Sequence, residues 1–194
     1  MNELLIIAAF AVTLTMVVLW PQRASAHCDT MEGPTAKDGV KALESADLAH
    51  ALKWIAPDGE AELREVFERA LAARELGPEA QEVADRWFLE NLVRIHRAGE
   101  GVAFTGLQPA GVPVEEKVAA ADRSIEQGDL RPLAGLVSAE RWPELERRFA
   151  KVLERREYDL DDVDAGRSYI EAYVSFFKFA EGHDHDHEHA GHEH

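Results

Sequence analysis

The feature that most constrains the fold of this chain is an internal sequence repeat. When the chain is aligned with itself at one fixed offset, Leu43 matches Ile125. Apolar residues recur at helical spacing through most of the chain, and no stretch alternates as a half-buried strand would. The other matched positions at that offset are Asp47-Leu48 with Asp129-Leu130, Leu63 with Leu145, Phe67 with Phe149, and Ile95 with Phe177. The pattern predicts an all-α helical bundle of two pseudo-repeated halves, followed by a disordered C-terminal tail.

The predicted boundaries follow from this repeat and from changes in composition. They are a signal peptide at 1–26, an N-terminal metal-hook segment at 27–36, a first helical repeat at 37–98, a Gly/Pro-rich connecting loop at 99–113, a second helical repeat at 114–182, and a His-rich tail at 183–194. The loop is interpreted as a crossover between the repeats, with a functional loop as the alternative.

The segment 1–26 has the features of an export signal. An apolar run at 4–20 is followed by Pro21 and by Ala24-Ser25-Ala26, the small-residue pattern that signal peptidase recognises. Cleavage after Ala26 makes His27 the first residue and predicts a periplasmic or secreted protein, with no membrane partner after cleavage. The alternative is an uncleaved membrane anchor, because the apolar run lies at the short end of the lengths that span a membrane.

The net charge of the chain limits the classes of ligand that it is expected to bind. The formal net charge is −16, which disfavours DNA and RNA as ligands because nucleic acids require basic patches. An acidic surface attracts cations instead, so metal ions are the predicted partners.

The N-terminal hook, His27 and Cys28, is the first candidate metal site. After cleavage it offers the free amine, an imidazole, a thiolate and the intervening amide nitrogen, a donor set that suits Cu, Ni or Zn. Cys28 is the single cysteine, so it forms no internal disulfide. It is a free thiol, a metal ligand, or an intermolecular disulfide in a homo-oligomer.

Further candidate ligands are histidines elsewhere in the chain. His96 is either a third ligand near the N-terminus or a helix-terminal histidine that interacts with helix carbonyls. Glu90, four residues before Arg94, is interpreted as its surface ion-pair partner. The tail alternates acids with histidines that bind such metals with little selectivity: His183, His185, His187, His189, His192 and His194. A solubilising acidic tail is the alternative.

Two resemblances are carried by short motifs. His27-Cys28-Asp29 resembles the start of mature nickel superoxide dismutase, a helical-bundle protein, although Glu32 stands where the second cysteine of that hook falls. Over more of the chain, the segments AHCDTMEGP at 26–34, RIHRAGEG at 94–101 and TGLQPAG at 105–111 are similar to a bacterial family of exported proteins of unknown function. The first resemblance implies a redox metalloenzyme, and the second implies no activity.

The sequence therefore predicts an exported helical protein that binds a transition metal for buffering or delivery, through the hook and the tail. A redox metalloenzyme of the superoxide dismutase type and a non-enzymatic helical interaction domain are the alternatives. Whether the chain is an enzyme stays open, because no catalytic motif accompanies these ligands.

The mature protein should begin at His27, because the small residues before it form a signal-peptidase site. The intact mass of protein purified from the exported fraction of its own cells checks this. A mass that retains residues 1–26 would remove the terminal amine from the hook.

Overall fold

The computed structural model describes residues 28–182, and within that range the chain is built from helices without a β-strand. An isolated bridge between Thr30 and Gln108 is the one β-type pairing described there. The helices are α1 Pro34–Ser45, α2 Ala49–Leu52, α3 Glu60–Arg74, α4 Pro78–Gly99, α5 Glu116–Gln127, α6 Trp142–Arg155 and α7 Val163–Glu181, with 3-10 turns at Pro57–Gly59 and Arg131–Leu133. The all-α bundle is confirmed, whereas the predicted signal peptide, His27 and the His-rich tail lie outside the described residues.

Local sequence signals set where several helices begin. Pro34 and Pro78 occupy the first turns of α1 and α4, where a missing backbone N–H costs nothing. Pro143 lies in the first turn of α6. Before α7, the Asp162 side chain accepts a hydrogen bond of 2.9 Å from the backbone N–H of Ala165, which is N-terminal capping by a carboxylate.

The helix ends repeat at the offset that the sequence predicts. The first and last residues of α1 match the first and last residues of α5 at the same offset that relates Leu43 to Ile125. Ala46 ends α1 and Gly128 ends α5, and both adopt the left-handed conformation, with φ of 54° and 67°. The carboxylates of Asp47 and Asp129 then each accept a hydrogen bond from the backbone N–H two residues further on, at 2.9 and 2.8 Å. Matched termination of this kind supports the pseudo-repeat.

Helix packing and buried positions also match between the two halves. α1 and α3 pack on α4, and α5 and α6 pack on α7. Leu63 and its counterpart Leu145 are both fully buried. The α1–α4 contact is close at Gly39, where an added Cβ would lie 2.6 Å from the side chains of Leu89 and Leu92. This packing brings α4 and α7, the longest helix of each half, into one continuous core.

Polar and aromatic contacts join the halves. Arg167 on α7 donates a hydrogen bond of 3.0 Å to the backbone oxygen of Ile55 and pairs with Glu60. The rings of Trp54 and Tyr173 meet edge to face, with centroids 6.0 Å apart. The segment between α2 and α3 is therefore fixed against α7. None of the helices between residues 28 and 182 has the length and apolar character needed to cross a membrane.

Three details differ from the sequence expectations. Helix α1 begins at Pro34, within the segment 27–36 that the sequence analysis assigned to the hook, since proline is favoured in a first turn. The counterpart of α2 is a 3-10 turn, Arg131–Leu133. The expected Glu90–Arg94 pair is wrong, because Arg94 pairs with Glu62 on α3, whereas Glu90 pairs with Arg86 at 2.7 Å.

The paired helix ends yield a stability prediction. Gly128→Ala should lower the free energy of unfolding by about 1 kcal/mol, because a Cβ is disfavoured at positive φ. Nothing lies within 4 Å of that Cβ, so the cost is conformational strain rather than a clash. Ala46→Gly is the matched reverse substitution and should be neutral or stabilising by up to about 1 kcal/mol. Urea unfolding midpoints check both, and equal losses in the two variants would contradict the assignment.

Candidate functional site

The site is built around a buried ion pair between Asp29 and Arg97. Arg97 lies in the last turn of α4, and its Nε and Nη2 donate to the two carboxylate oxygens of Asp29, both at 2.7 Å. The side chains are 10% and 4% exposed for Asp29 and Arg97. Two parallel charge-assisted hydrogen bonds fix both position and orientation. The segment that begins at Cys28 is therefore held at the C-terminal end of α4.

The connecting loop holds the same segment from its other side. The backbone N–H of Gln108 donates to the oxygen of Asp29 at 2.7 Å, and Met31 donates to the oxygen of Gln108 at 3.0 Å. Glu32 accepts a hydrogen bond of 3.0 Å from the backbone N–H of Gly111. Beyond joining the repeats, the loop thus positions the N-terminal segment. Its Gly/Pro-rich sequence predicted irregular structure but not this contact.

Burial changes the chemistry of Cys28. Its side chain lies inside the protein, and burial raises the pKa of its thiol to about 12. The carboxylates of Glu100 and Asp29 contribute to this rise in the pKa, whereas the Arg97 guanidinium and the Thr35 hydroxyl oppose it. Without an added cation, Cys28 is a neutral thiol at physiological pH, which does not favour a role as a nucleophile.

Cys28 borders a small cavity between α4 and α7. Arg97 and Glu100 form its wall at the end of α4, and the wall on α7 consists of Tyr173, Val174, Phe177 and Lys178. Its volume is about 10 Å³, roughly the space that one water molecule needs. Glu100 lies 3.0 Å from the Arg97 guanidinium and 3.9 Å from the Lys178 ammonium. The thiol therefore shares its cavity with one carboxylate and two cations.

His96 lies beside this cavity with its ring held by a hydrogen bond. Its Nδ1 is 2.8 Å from the backbone oxygen of Trp54, and an oxygen of this kind only accepts, so Nδ1 carries the hydrogen. Its Nε2 is buried without a hydrogen-bond partner and lies 3.8 Å from a carboxylate oxygen of Glu100. The Trp54 ring meets the imidazole edge to face at 5.7 Å and fixes its plane. The ring atom of His96 nearest the carboxylate that lines the Cys28 cavity is thus its unpartnered Nε2.

Two of the residues that the sequence predicts as ligands have Glu100 as a neighbour. Glu100 lines the cavity that Cys28 borders, and its carboxylate lies 3.8 Å from Nε2 of His96. His27 and the six tail histidines lie outside the described residues, so their positions stay predictions. Between residues 28 and 182, no group of three or more His, Cys, Asp or Glu side chains is arranged to hold a metal ion.

Sequence reasoning missed the residues that organise the site. The RIHRAGEG segment at 94–101 includes Arg97 and Glu100, but nothing in it predicts that Arg97 pairs with Asp29 or that Glu100 lies near Cys28. No pattern singles out Tyr173, which also lines the cavity. Tyr173 also donates a hydrogen bond of 2.9 Å to Asp122. A basic residue next to His96, at the end of an apolar helix face, was the available signal for Arg97. The sequence did not identify its partner.

The chain was compared with known proteins at the level of family, sequence and structure. A family model described as a family of unknown function, DUF6448, matches residues 32–179. No curated protein matches the chain, and no solved structure matches it. The family match agrees with the resemblance to proteins of unknown function. The motifs quoted for that resemblance, and the likeness to nickel superoxide dismutase, stay predictions.

Burial of Cys28 predicts that its thiol reacts slowly with alkylating reagents. At pH 8, iodoacetamide should alkylate the folded protein at least about 100-fold more slowly than the urea-unfolded chain, because only the thiolate reacts and a pKa of about 12 leaves few thiols ionised. The unfolding free energy should also fall as the pH rises above about 8.5, where the unfolded thiol ionises and the folded thiol does not. The Cys28→Ala variant should not show the part of this decrease in unfolding free energy that comes from ionisation of the thiol. Equal alkylation rates in the two states would contradict the buried, neutral thiol.

Proposed function

We propose a function from the site itself, because the chain belongs to the DUF6448 family, whose function is unknown. The chain is an exported, periplasmic or secreted protein that binds a transition metal ion, Cu, Ni or Zn, for buffering or delivery. The bound ion takes the amine and imidazole of His27, the thiolate of Cys28, and Nε2 of His96. The His-rich tail adds weaker sites of the same chemistry.

The hydrogen-bond geometry of His96 is the observation that carries this proposal. A histidine that binds a metal commonly donates its other ring N–H to a carboxylate or a backbone carbonyl, which fixes the ring and its free lone pair. His96 has this arrangement, with Nδ1 at 2.8 Å from the Trp54 oxygen and Nε2 buried without a partner. A buried nitrogen without a hydrogen bond is costly unless something binds to it. A metal ion bound by Nε2 removes that cost.

The environment of Cys28 supports a cation for a second reason. The thiol is kept neutral by burial and by the Glu100 carboxylate, so a divalent ion would reverse both effects and release the thiol proton. Binding should therefore become tighter as the pH rises. The amine of a chain that begins at His27 would supply the remaining donor, since His27 directly precedes Cys28.

The test uses a chain that begins at His27 and carries Asn in place of the six tail histidines, so that the tail does not compete. Ni(II) should bind at one ion per chain with a thiolate-to-metal absorption band. Cys28→Ser should remove that band. His96→Ala should weaken binding by about 10-fold or more, because one ligand of the proposed set is lost. Titration followed by absorbance measures both effects.

Two controls separate this site from unspecific binding. His50 is outside the proposed ligand set, so His50→Ala should leave the Ni(II) affinity unchanged. An alanine added before His27 should weaken binding, because it displaces the terminal amine while both side chains remain. If His96→Ala behaves like His50→Ala, then His96 is not a ligand. If no variant shows one-to-one binding, the chain is better described as a helical interaction domain.

A further inference from the structure

Trp54 contacts His96 in two ways. Its backbone oxygen lies 2.8 Å from Nδ1 of His96, and its indole ring meets the imidazole edge to face, with centroids 5.7 Å apart. The same indole ring meets the ring of Tyr173, which lines the Cys28 cavity. Trp54 is itself buried, so its position depends on what holds it inside the protein. Any displacement of Trp54 would move both partners of the His96 ring.

A buried carboxylate holds Trp54 in turn. The indole N–H donates a hydrogen bond of 2.9 Å to Asp38 on α1. The ammonium groups of Lys53 and Lys41 each lie 2.9 Å from an oxygen of the same carboxylate. Burial raises the pKa of Asp38, but the charge of Lys53 and the donated hydrogen bonds outweigh it and leave the pKa below its usual value. An ionised carboxylate therefore anchors the indole, and a series of contacts runs from Asp38 through Trp54 to His96.

The second half of the repeat has the same scaffold without these contacts. The residues that correspond to Asp38, Trp54 and His96 at the fixed offset of the repeat are Ala120, Leu136 and Lys178. Ala120 is fully buried in α5, so an apolar side chain fills the position that Asp38 occupies in α1. Burying a charged group costs free energy that an apolar residue at the same position avoids. The carboxylate accompanies His96 in the one half and is absent with it in the other, which indicates a role in holding His96.

We propose that Asp38 and Trp54 are positioning residues of the metal site. Asp38 fixes the Trp54 indole, and Trp54 fixes the His96 ring, so that Nε2 stays on the side of Glu100, 3.8 Å away. This inference rests on the proposed function and deepens it, because neither residue touches the metal ion. Replacing a residue that orients a metal-binding histidine commonly lowers metal affinity by about 10- to 100-fold.

The first measurement needs no metal. It uses the full-length chain that begins at His27 and carries Asn at its six tail histidines, which keeps three of the nine histidines. Nitrogen-15 NMR then detects the side-chain N–H of His96, assigned by its loss in His96→Ala. Trp54→Phe removes the indole N–H but keeps the backbone oxygen, an apolar ring and both lysines on Asp38. The Nδ1–H of His96 should exchange with solvent at least about tenfold faster in Trp54→Phe, because the ring is held less firmly.

The second measurement is the Ni(II) affinity of the same chains, followed by the thiolate-to-metal band. Trp54→Phe should bind Ni(II) about tenfold more weakly or worse, at the same stoichiometry. Asp38→Ala should show a similar loss. Asp38→Asn should retain most of the affinity, because its amide oxygen still accepts from the indole. Both Asp38 variants remove the charge beside Lys53, so the difference between them isolates the indole hydrogen bond.

Trp142→Phe is the matched control. The Trp142 indole also donates to a carboxylate, that of Glu146 at 3.0 Å, but it does so on α6 in the other half of the protein. This variant should leave both the exchange rate of the His96 N–H and the Ni(II) affinity unchanged.

Each contrary result has a distinct meaning. An unchanged exchange rate in Trp54→Phe overturns the positioning role, and so does an equal change in Trp142→Phe. A Ni(II) affinity that falls in His96→Ala but not in Trp54→Phe also overturns it and leaves the proposed function standing. Equal affinities of Asp38→Ala and Asp38→Asn overturn the role of Asp38; if Asp38→Ala does not fold, Trp54→Phe decides, since it removes the same hydrogen bond. An unchanged affinity in His96→Ala is the failure of the proposed function itself.

Discussion

The buried pair of Asp29 and Arg97 is the interaction on which the site depends. Removing one partner of such a pair leaves an unpaired buried charge, at a cost of about 3 to 5 kcal/mol. Here the pair joins the start of the described chain to the last turn of α4, and the backbone of Asp29 also bonds the connecting loop at Gln108. Asp29 therefore connects three segments: its own N-terminal segment, the end of α4 through the ion pair, and the connecting loop through a backbone hydrogen bond. It sets Cys28 between α4 and α7, where the thiol is buried, neutral and close to Glu100.

The two halves share a fold but not a site. The three longer helices of each half and several core positions repeat at one fixed offset, so the ends of α4 and α7 are pseudo-equivalent. The residues that could bind a metal differ at this offset, because His96 corresponds to Lys178 and Glu100 corresponds to Gly182. His96 and Lys178 nevertheless both approach Glu100. The site thus uses a repeated scaffold whose equivalent positions carry different side chains.

Helices, caps and the repeat were predictable because their signals are local or recur at a fixed spacing. The helical periodicity, the prolines of the first turns and the Asp47 and Asp129 turns are all readable within a few residues. The site was not, because Asp29 and Arg97 are 68 residues apart and nothing local pairs them. The same limit explains the incorrect ion pair of Arg94, which a spacing of four residues assigned to Glu90, whereas tertiary packing brings it to Glu62. Cys28 and His96 were recognisable by residue type, but their common neighbour Glu100 was not, because these positions are brought near one another by long-range contacts.

X-ray absorption of the zinc-loaded chain tests the central claim, that the amino-terminal hook and His96 form one metal site, most directly. The sample is the chain that begins at His27 and carries Asn at the tail histidines, loaded with one equivalent of Zn(II). We expect one sulfur scatterer at about 2.3 Å and nitrogen scatterers at about 2.0 to 2.1 Å, with imidazole scattering that decreases by one ring in His96→Ala. A first shell of nitrogen and oxygen alone, or an unchanged spectrum in His96→Ala, would contradict the site.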